Sequence, residues 1–198
     1  MSGKPTRPHW QIHIGSDSGD VAQAKRINFH AAKTVKKDPY GGVLTLQGIG
    51  NELIAWAAAA SLGTFEGRKQ ANLMEACAEW PLSALRQLGL QASVNPAGVI
   101  TTPMGPVGTC FVEWLDDDFV LAQGVLNYAL DPSDGCVNGL PCEETETIRS
   151  QSGLPLPLVI DRFTRMATIL FRAGEAIVHS RCGGREQTVP ARHTFISE

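Results

Sequence analysis

With 198 residues, 21.3 kDa and 43% hydrophobic content, the chain is long enough to bury one core and a smaller appended unit. No apolar run approaches the roughly 20 residues that span a bilayer, and the opening MSGKPTRPHW lacks the apolar stretch of a secretory signal, so the sequence predicts a cytoplasmic protein with no membrane partner. Five unevenly spaced cysteines do not make a disulfide framework, and the net charge of -3 hides an asymmetry: residues 1–37 carry +5, which leaves -8 for the rest.

In chain order, Trp10, Ile12 and Ile14 alternate with Gln11 and His13, the period of a half-buried strand. Asp20 is placed to cap a helix that runs to about Lys37, with Val21, Ala24, Ala31 and Val35 on its apolar side. Lys25, Arg26, Lys33, Lys36 and Lys37 supply a basic surface, the footprint of a face presented to a polyanion, and they are the candidate nucleic-acid-binding residues. The stretch Gly42–Leu62, GVLTLQGIGNELIAWAAAASL, organises the rest. It predicts a short strand at Val43, Leu44 and Leu46, a glycine turn, and an alanine-rich helix capped by Asn51. Backbone N–H groups at Gly48, Gly50 and Asn51 would then form an anion site at a helix N-terminus. The alternative is a tight packing corner with no ligand.

Leu73, Met74, Cys77 and Trp80 fall on one side of a helix that Pro81 should interrupt. A second short helix, Leu82–Leu88, is expected to end at Gly89, and a strand at Leu90–Val94 follows. Val99–Thr102 and Thr109–Leu115 predict a hairpin with Pro103, Gly105, Pro106 and Gly108 at its tip. Asp116–Asp118 make an acidic turn, Phe119–Leu130 is open between strand and helix, and residues 131–157 form a loop that is either a boundary or a mobile element. Val159, Phe163, Met166, Leu170, Ala173 and Ile177 lie on one stripe of an amphipathic helix expected from about Leu158 to His179, docked on the core or on a partner. Cys136 and Cys142 with His179 and Cys182 are a candidate structural zinc set, or else ordinary thiols with a surface histidine. No catalytic triad, nucleophile elbow, zinc-protease helix or phosphate-binding loop occurs, so no catalytic residue is assigned.

The element order, together with QGIGNELIAWAAAAS, resembles the Alba family and the related stage V sporulation protein S family over residues 9–115. That resemblance implies an α+β fold: an Alba-like β-α-β-α-β-β unit, here with inserted helices around 66–88 and a C-terminal extension, 116–198, packed on it and ending in a long amphipathic helix. It implies a dimer that binds DNA or RNA. The expected function is therefore a non-enzymatic nucleic-acid-binding protein, or a subunit of a nucleic-acid-handling complex, acting through the basic N-terminal arm and helix. Two alternatives stand beside it: a small-ligand-binding protein or enzyme that uses the Gly48–Asn51 turn, and a scaffold that docks through its C-terminal helix.

Overall fold

The computed structural model describes residues 10–16, 42–49, 52–61, 73–116, 119–130, 145–170, 175–179 and 186–190. Its elements are β1 (Trp10–Ser16), β2 (Gly42–Ile49), β3 (Leu53–Ser61), α1 (Leu73–Gln87), β4 (Ser93–Val94), β5 (Val99–Thr102), β6 (Gly105–Asp116), β7 (Phe119–Asn127), α2 (Ile148–Ser152), α3 (Leu156–Leu170), β8 (Glu175–His179) and β9 (Glu186–Pro190). The nine strands form one sheet in the order β4-β5-β6-β7-β3-β2-β1-β8-β9. β1 runs parallel to both β2 and β8, and every other pair is antiparallel.

The largest departure from expectation is the alanine-rich stretch. Residues 53–61 are the strand β3, paired along their length with β2 on one side and β7 on the other. Alanine favours helix intrinsically, but strand preference depends on what the side chains must fit, and here both edges of the strand are satisfied by neighbours. Where β2 gives way to β3, the Glu52 N–H donates to the Ile49 carbonyl at 3.0 Å. Glu52 in turn accepts from the N–H groups of Tyr128 and Ala129, both at 2.8 Å, which ties the hairpin to the end of β7. With a strand where the Alba unit requires its second helix, the β-α-β-α-β-β reading does not hold.

One face of the sheet is covered by α1 and α3. Leu44, Leu46, Ile54, Trp56, Ala58, Val120, Ala122 and Leu126 from the strands meet Cys77, Trp80 and Leu85 of α1 and Val159, Phe163 and Ala167 of α3 in one buried cluster. Three aromatic rings link the layers: Trp56 meets Trp80 edge-on at 5.3 Å, and Trp80 meets Phe163 edge-on at 5.9 Å. Such pairs contribute about 0.5–1.5 kcal/mol each beyond their burial. Gly124 makes room for this stack, because a Cβ there would lie 2.6 Å from Trp56 Nε1.

α1 is continuous through Pro81, not two helices; Trp80, Pro81 and Leu82 are all buried, and their packing outweighs the lost backbone bond. It ends as expected at Gly89, whose φ of +83° is the left-handed cap, with the Leu90 N–H returning to the Leu85 carbonyl and the Gly89 N–H to that of Arg86. The hairpin is tighter than expected, since β6 already begins at Gly105. Phe119–Asn127 resolves to strand, buried on both faces. The C-terminal stripe divides: α3 keeps Val159, Phe163, Met166 and Leu170, whereas Ile177 lies in β8, opposite His13 of β1. Among the described residues, no helix is long and apolar enough to cross a membrane.

Candidate functional site

Side chains alternate across a sheet, so the cross-strand registers fix which residues share the face away from α1 and α3. One row on that face runs Thr45, Ala57, Gln123, Phe111 across β2, β3, β7 and β6. A neighbouring row places Ala55 beside Val125 and Thr109, and a third places Ala59 beside Leu121. The apolar members form small clusters separate from the main core: Ala57, Ala59 and Leu121 in one, Ala55 and Val125 in another. Ala55, Ala57 and Ala59 thus form a low floor, flanked by hydroxyl and amide groups.

The floor is closed to solvent. Ala57 is 1% exposed, Thr45 6% and Thr109 4%. Among the described residues, neither the Thr45 nor the Thr109 hydroxyl has a hydrogen-bond partner. A buried, unpaired polar group costs about 1–3 kcal/mol, and native structures hold few of them without a reason. The two hydroxyls stand at opposite ends of the floor, three strand spacings or about 14 Å apart across the sheet. Asn127 is not free in the same way, because its side-chain carbonyl accepts from the Leu130 N–H at 2.8 Å and holds the chain as it leaves β7.

The floor holds no cation, and its one charge is the Glu113 carboxylate of β6, at the end of the row of Ala59 and Leu121. β2, β3, β5 and β7 contain no charged residue, and the sequence has no lysine or arginine between Arg86 and Arg149. These strands carry no cation, so positive charge for a phosphate or carboxylate must come from elsewhere in the chain. The buried thiols do not serve either. Cys110 belongs to the helix-covered core, and burial, with Cys77 beside it, pushes its thiol up to about 12, which leaves a neutral and unreactive group.

Of the residues singled out from sequence as candidate sites, Gly48 and His179 are among the described residues. Lys25, Arg26, Lys33, Lys36 and Lys37 lie outside the described residues, as do Gly50, Asn51, Cys136, Cys142 and Cys182. Gly48 sits within β2, paired with Ile54 and Ser16, and a Cβ on it would touch Leu156 of α3 at 3.3 Å. No helix begins after it, so the helix N-terminus invoked for anion binding is not present. His179 is the last residue of β8, opposite Gly15 and Glu186. Thr45, Ala57, Gln123 and Thr109 were not legible as a group, because their proximity comes from pairing segments as far apart as Ala57 and Gln123, 66 residues (123 − 57). One signal was available: Gly50-Asn51 between two apolar runs is a hairpin pattern.

In sequence the chain matches no protein-family model, and no characterised protein matches it. Its fold does have counterparts. Lipoate-protein ligase A bound with ATP superposes with a TM-score of 0.63 at 8% identity, over 89% of this chain and 90% of that one. P. falciparum LipL1 in complex with lipoate gives 0.62 at 9% identity, over 86% of this chain and 65% of that one. The bi-partite lipoate protein ligase from Thermoplasma acidophilum, solved as part of an archaeal lipoylation system with its E2 lipoyl domain, gives 0.61 at 8% identity over 88% of each chain. At these identities the likeness establishes the fold. The fold is thus that of lipoate protein ligases and not the Alba unit, and the expected non-enzymatic DNA- or RNA-binding dimer falls with the resemblance that implied it.

Proposed function

We propose that the chain is an enzyme of the ligase kind: it seats a small carboxylic acid by its extended apolar tail on the alanine floor, activates the carboxylate with ATP and passes the acyl group to a protein acceptor. The observation that carries this reading is the buried floor of Ala55, Ala57 and Ala59 between two unpaired hydroxyls, Thr45 and Thr109. Proteins of the same fold were solved with lipoate and with ATP, and one belongs with an E2 lipoyl domain, which supports the choice of substrates.

In such a reaction a carboxylate oxygen attacks a phosphorus of ATP and displaces pyrophosphate, and the acceptor's amine then displaces AMP from the activated acyl group. In this reading the cover over the β3 alanines gives way to the tail, and a threonine hydroxyl, Thr45 or Thr109, donates to the carboxylate at its head. The phosphates require cations that the floor lacks. The basic cluster Lys25, Arg26, Lys33, Lys36 and Lys37 is the densest source of positive charge in the sequence and is our candidate for that role. A cytoplasmic setting, where ATP is available, belongs to this reading.

The test uses octanoate and lipoate. Each should raise the melting temperature, and each should support exchange of labelled pyrophosphate into ATP. Replacing Ala57 by Leu should weaken acid binding more than ATP binding. If neither acid shifts the melting temperature and no exchange occurs with either, the assignment is wrong.

A further inference from the structure

β6 is a twelve-residue strand, and β5 covers its outer edge only as far as Thr109, which pairs with Val99. The Cys110 N–H donates outward to the Gly98 carbonyl at 2.6 Å, which fixes the direction of the backbone groups that follow. With a period of two, the N–H and C=O groups of Val112 and Trp114 point the same way, beyond the end of β5, and no partner meets them among the described residues. An open strand edge of this kind is a template for another strand.

The side chains along this edge are unusual for a surface. Trp114 is 58% exposed and Phe111 41%, and Glu113 between them is also exposed. Phe111 and Glu113 lie on the floor side of the sheet, and Trp114 lies on the helix side. Residues 110–118 read CFVEWLDDD, four carboxylates and no cation. A second copy added antiparallel about Glu113 would set Glu113 against Glu113 and one acidic run beside another, so the charge disfavours self-pairing. A basic strand meets the opposite situation. Alternate lysines or arginines on one of its faces reach Glu113, and those on the other lie over the Trp114 ring, where an indole face attracts a cation.

We propose that the outer edge of β6, centred on Val112–Trp114, captures an extended basic segment of another protein as an added strand. Backbone hydrogen bonds from Val112 and Trp114 give the docking its register, and Glu113 and Trp114 select for positive charge. The surface is independent of what occupies the alanine floor.

The probe is an eight-residue synthetic peptide in which pairs of lysines alternate with valine–threonine pairs, so that both strand faces carry lysine, fluorescently labelled and titrated by anisotropy against the full chain at low salt. Binding should weaken as salt rises. Glu113→Lys and Trp114→Ala should each weaken it about tenfold while leaving the melting temperature unchanged. Val112→Pro, which removes an outward N–H at an edge position, should weaken it comparably, as should N-methylation of alternate peptide amides. A glutamate version of the peptide that binds as well, or equal binding by the two side-chain variants, would overturn the proposal. So would full binding by the N-methylated peptide, since attraction without strand addition would explain it. A chain that sediments as a dimer and becomes a monomer on Trp114→Ala would assign the edge to a second copy, which also overturns it.

Discussion

Replacing Thr45 by Val tests whether the floor is kept for a ligand. The two residues are nearly isosteric and both branched at Cβ, so packing and strand preference change little. What changes is the hydroxyl, which is buried on the floor and unpaired. Leaving such a group without a partner costs about 1–3 kcal/mol, and the partner-free methyl of valine does not incur it. Thr45→Val should therefore stabilise the unliganded protein by about 1 kcal/mol, which for a chain of this size raises the melting temperature by roughly 2–4 °C. The same change should weaken binding of octanoate by about fivefold, the equivalent of one neutral hydrogen bond of about 1 kcal/mol. Thr102 is the internal control. It is also buried, but its hydroxyl donates to the Gly105 carbonyl at 3.2 Å and accepts from the Met104 N–H at 3.3 Å. Thr102→Val should accordingly destabilise by about 1–2 kcal/mol and leave acid affinity alone. Differential scanning fluorimetry with and without octanoate reads both quantities. If Thr45→Val melts lower than the parent, its hydroxyl has a partner and the argument for a poised floor fails.

Gly124→Ala should destabilise by about 2–3 kcal/mol in urea unfolding, because the new Cβ would lie 2.5 Å from the Thr109 carbonyl oxygen and 2.6 Å from Trp56 Nε1, so the aromatic stack must shift. Gly48→Ala should change stability by less than about 1 kcal/mol, since its one tight neighbour is the tip of Leu156, which can move; a large loss of ATP affinity in this variant would instead point to a ligand at the turn. Cys110 gives a pH prediction. Its thiol is raised from 9.0 to about 12 in the folded chain, chiefly by burial and secondarily by Cys77. Above about pH 9 the unfolded chain releases a proton that the native chain retains, so stability is fully present below pH 9 and falls as the pH rises toward 12. Cys110→Ala should flatten that limb of a stability-against-pH curve measured by urea midpoints.

The parts of the fold that were legible are those whose signal is local. Gly89 ends α1 because a left-handed residue is needed there, and glycine announces it. The hairpin of β5 and β6 is marked by its own proline and glycine, and the stripe Val159, Phe163, Met166, Leu170 is a helix because its period fits the layer it packs on. Errors arose where a local signal competes with a distant partner. Ile177 fits the helical period of the preceding turns, yet in β8 it pairs with His13, some 160 positions earlier in the chain. Similarly, Pro81 should end a helix on its own terms, but the surrounding burial of Trp80 and Leu82 holds α1 together.

The misread strand and the unrecognised site have one physical cause. β3 lies between β2 and β7 with both faces buried, and it must be slim on each for a different reason. Ala58 and Ala60 fall on the face that receives α1 and α3, where the Trp56, Trp80 and Phe163 rings already fill the layer. Ala55, Ala57 and Ala59 fall on the other, where any larger side chain would raise the floor between Thr45 and Thr109. A strand constrained in this way has almost no residue left to use but alanine, and a run of alanines reads as a helix to any rule built on intrinsic preference. The feature that disguises the element is therefore the one that clears the site. It follows that substitutions making β3 look more like a strand, such as Ala57→Val or Ala59→Ile, should raise its strand propensity while closing the space that the proposed acyl tail needs.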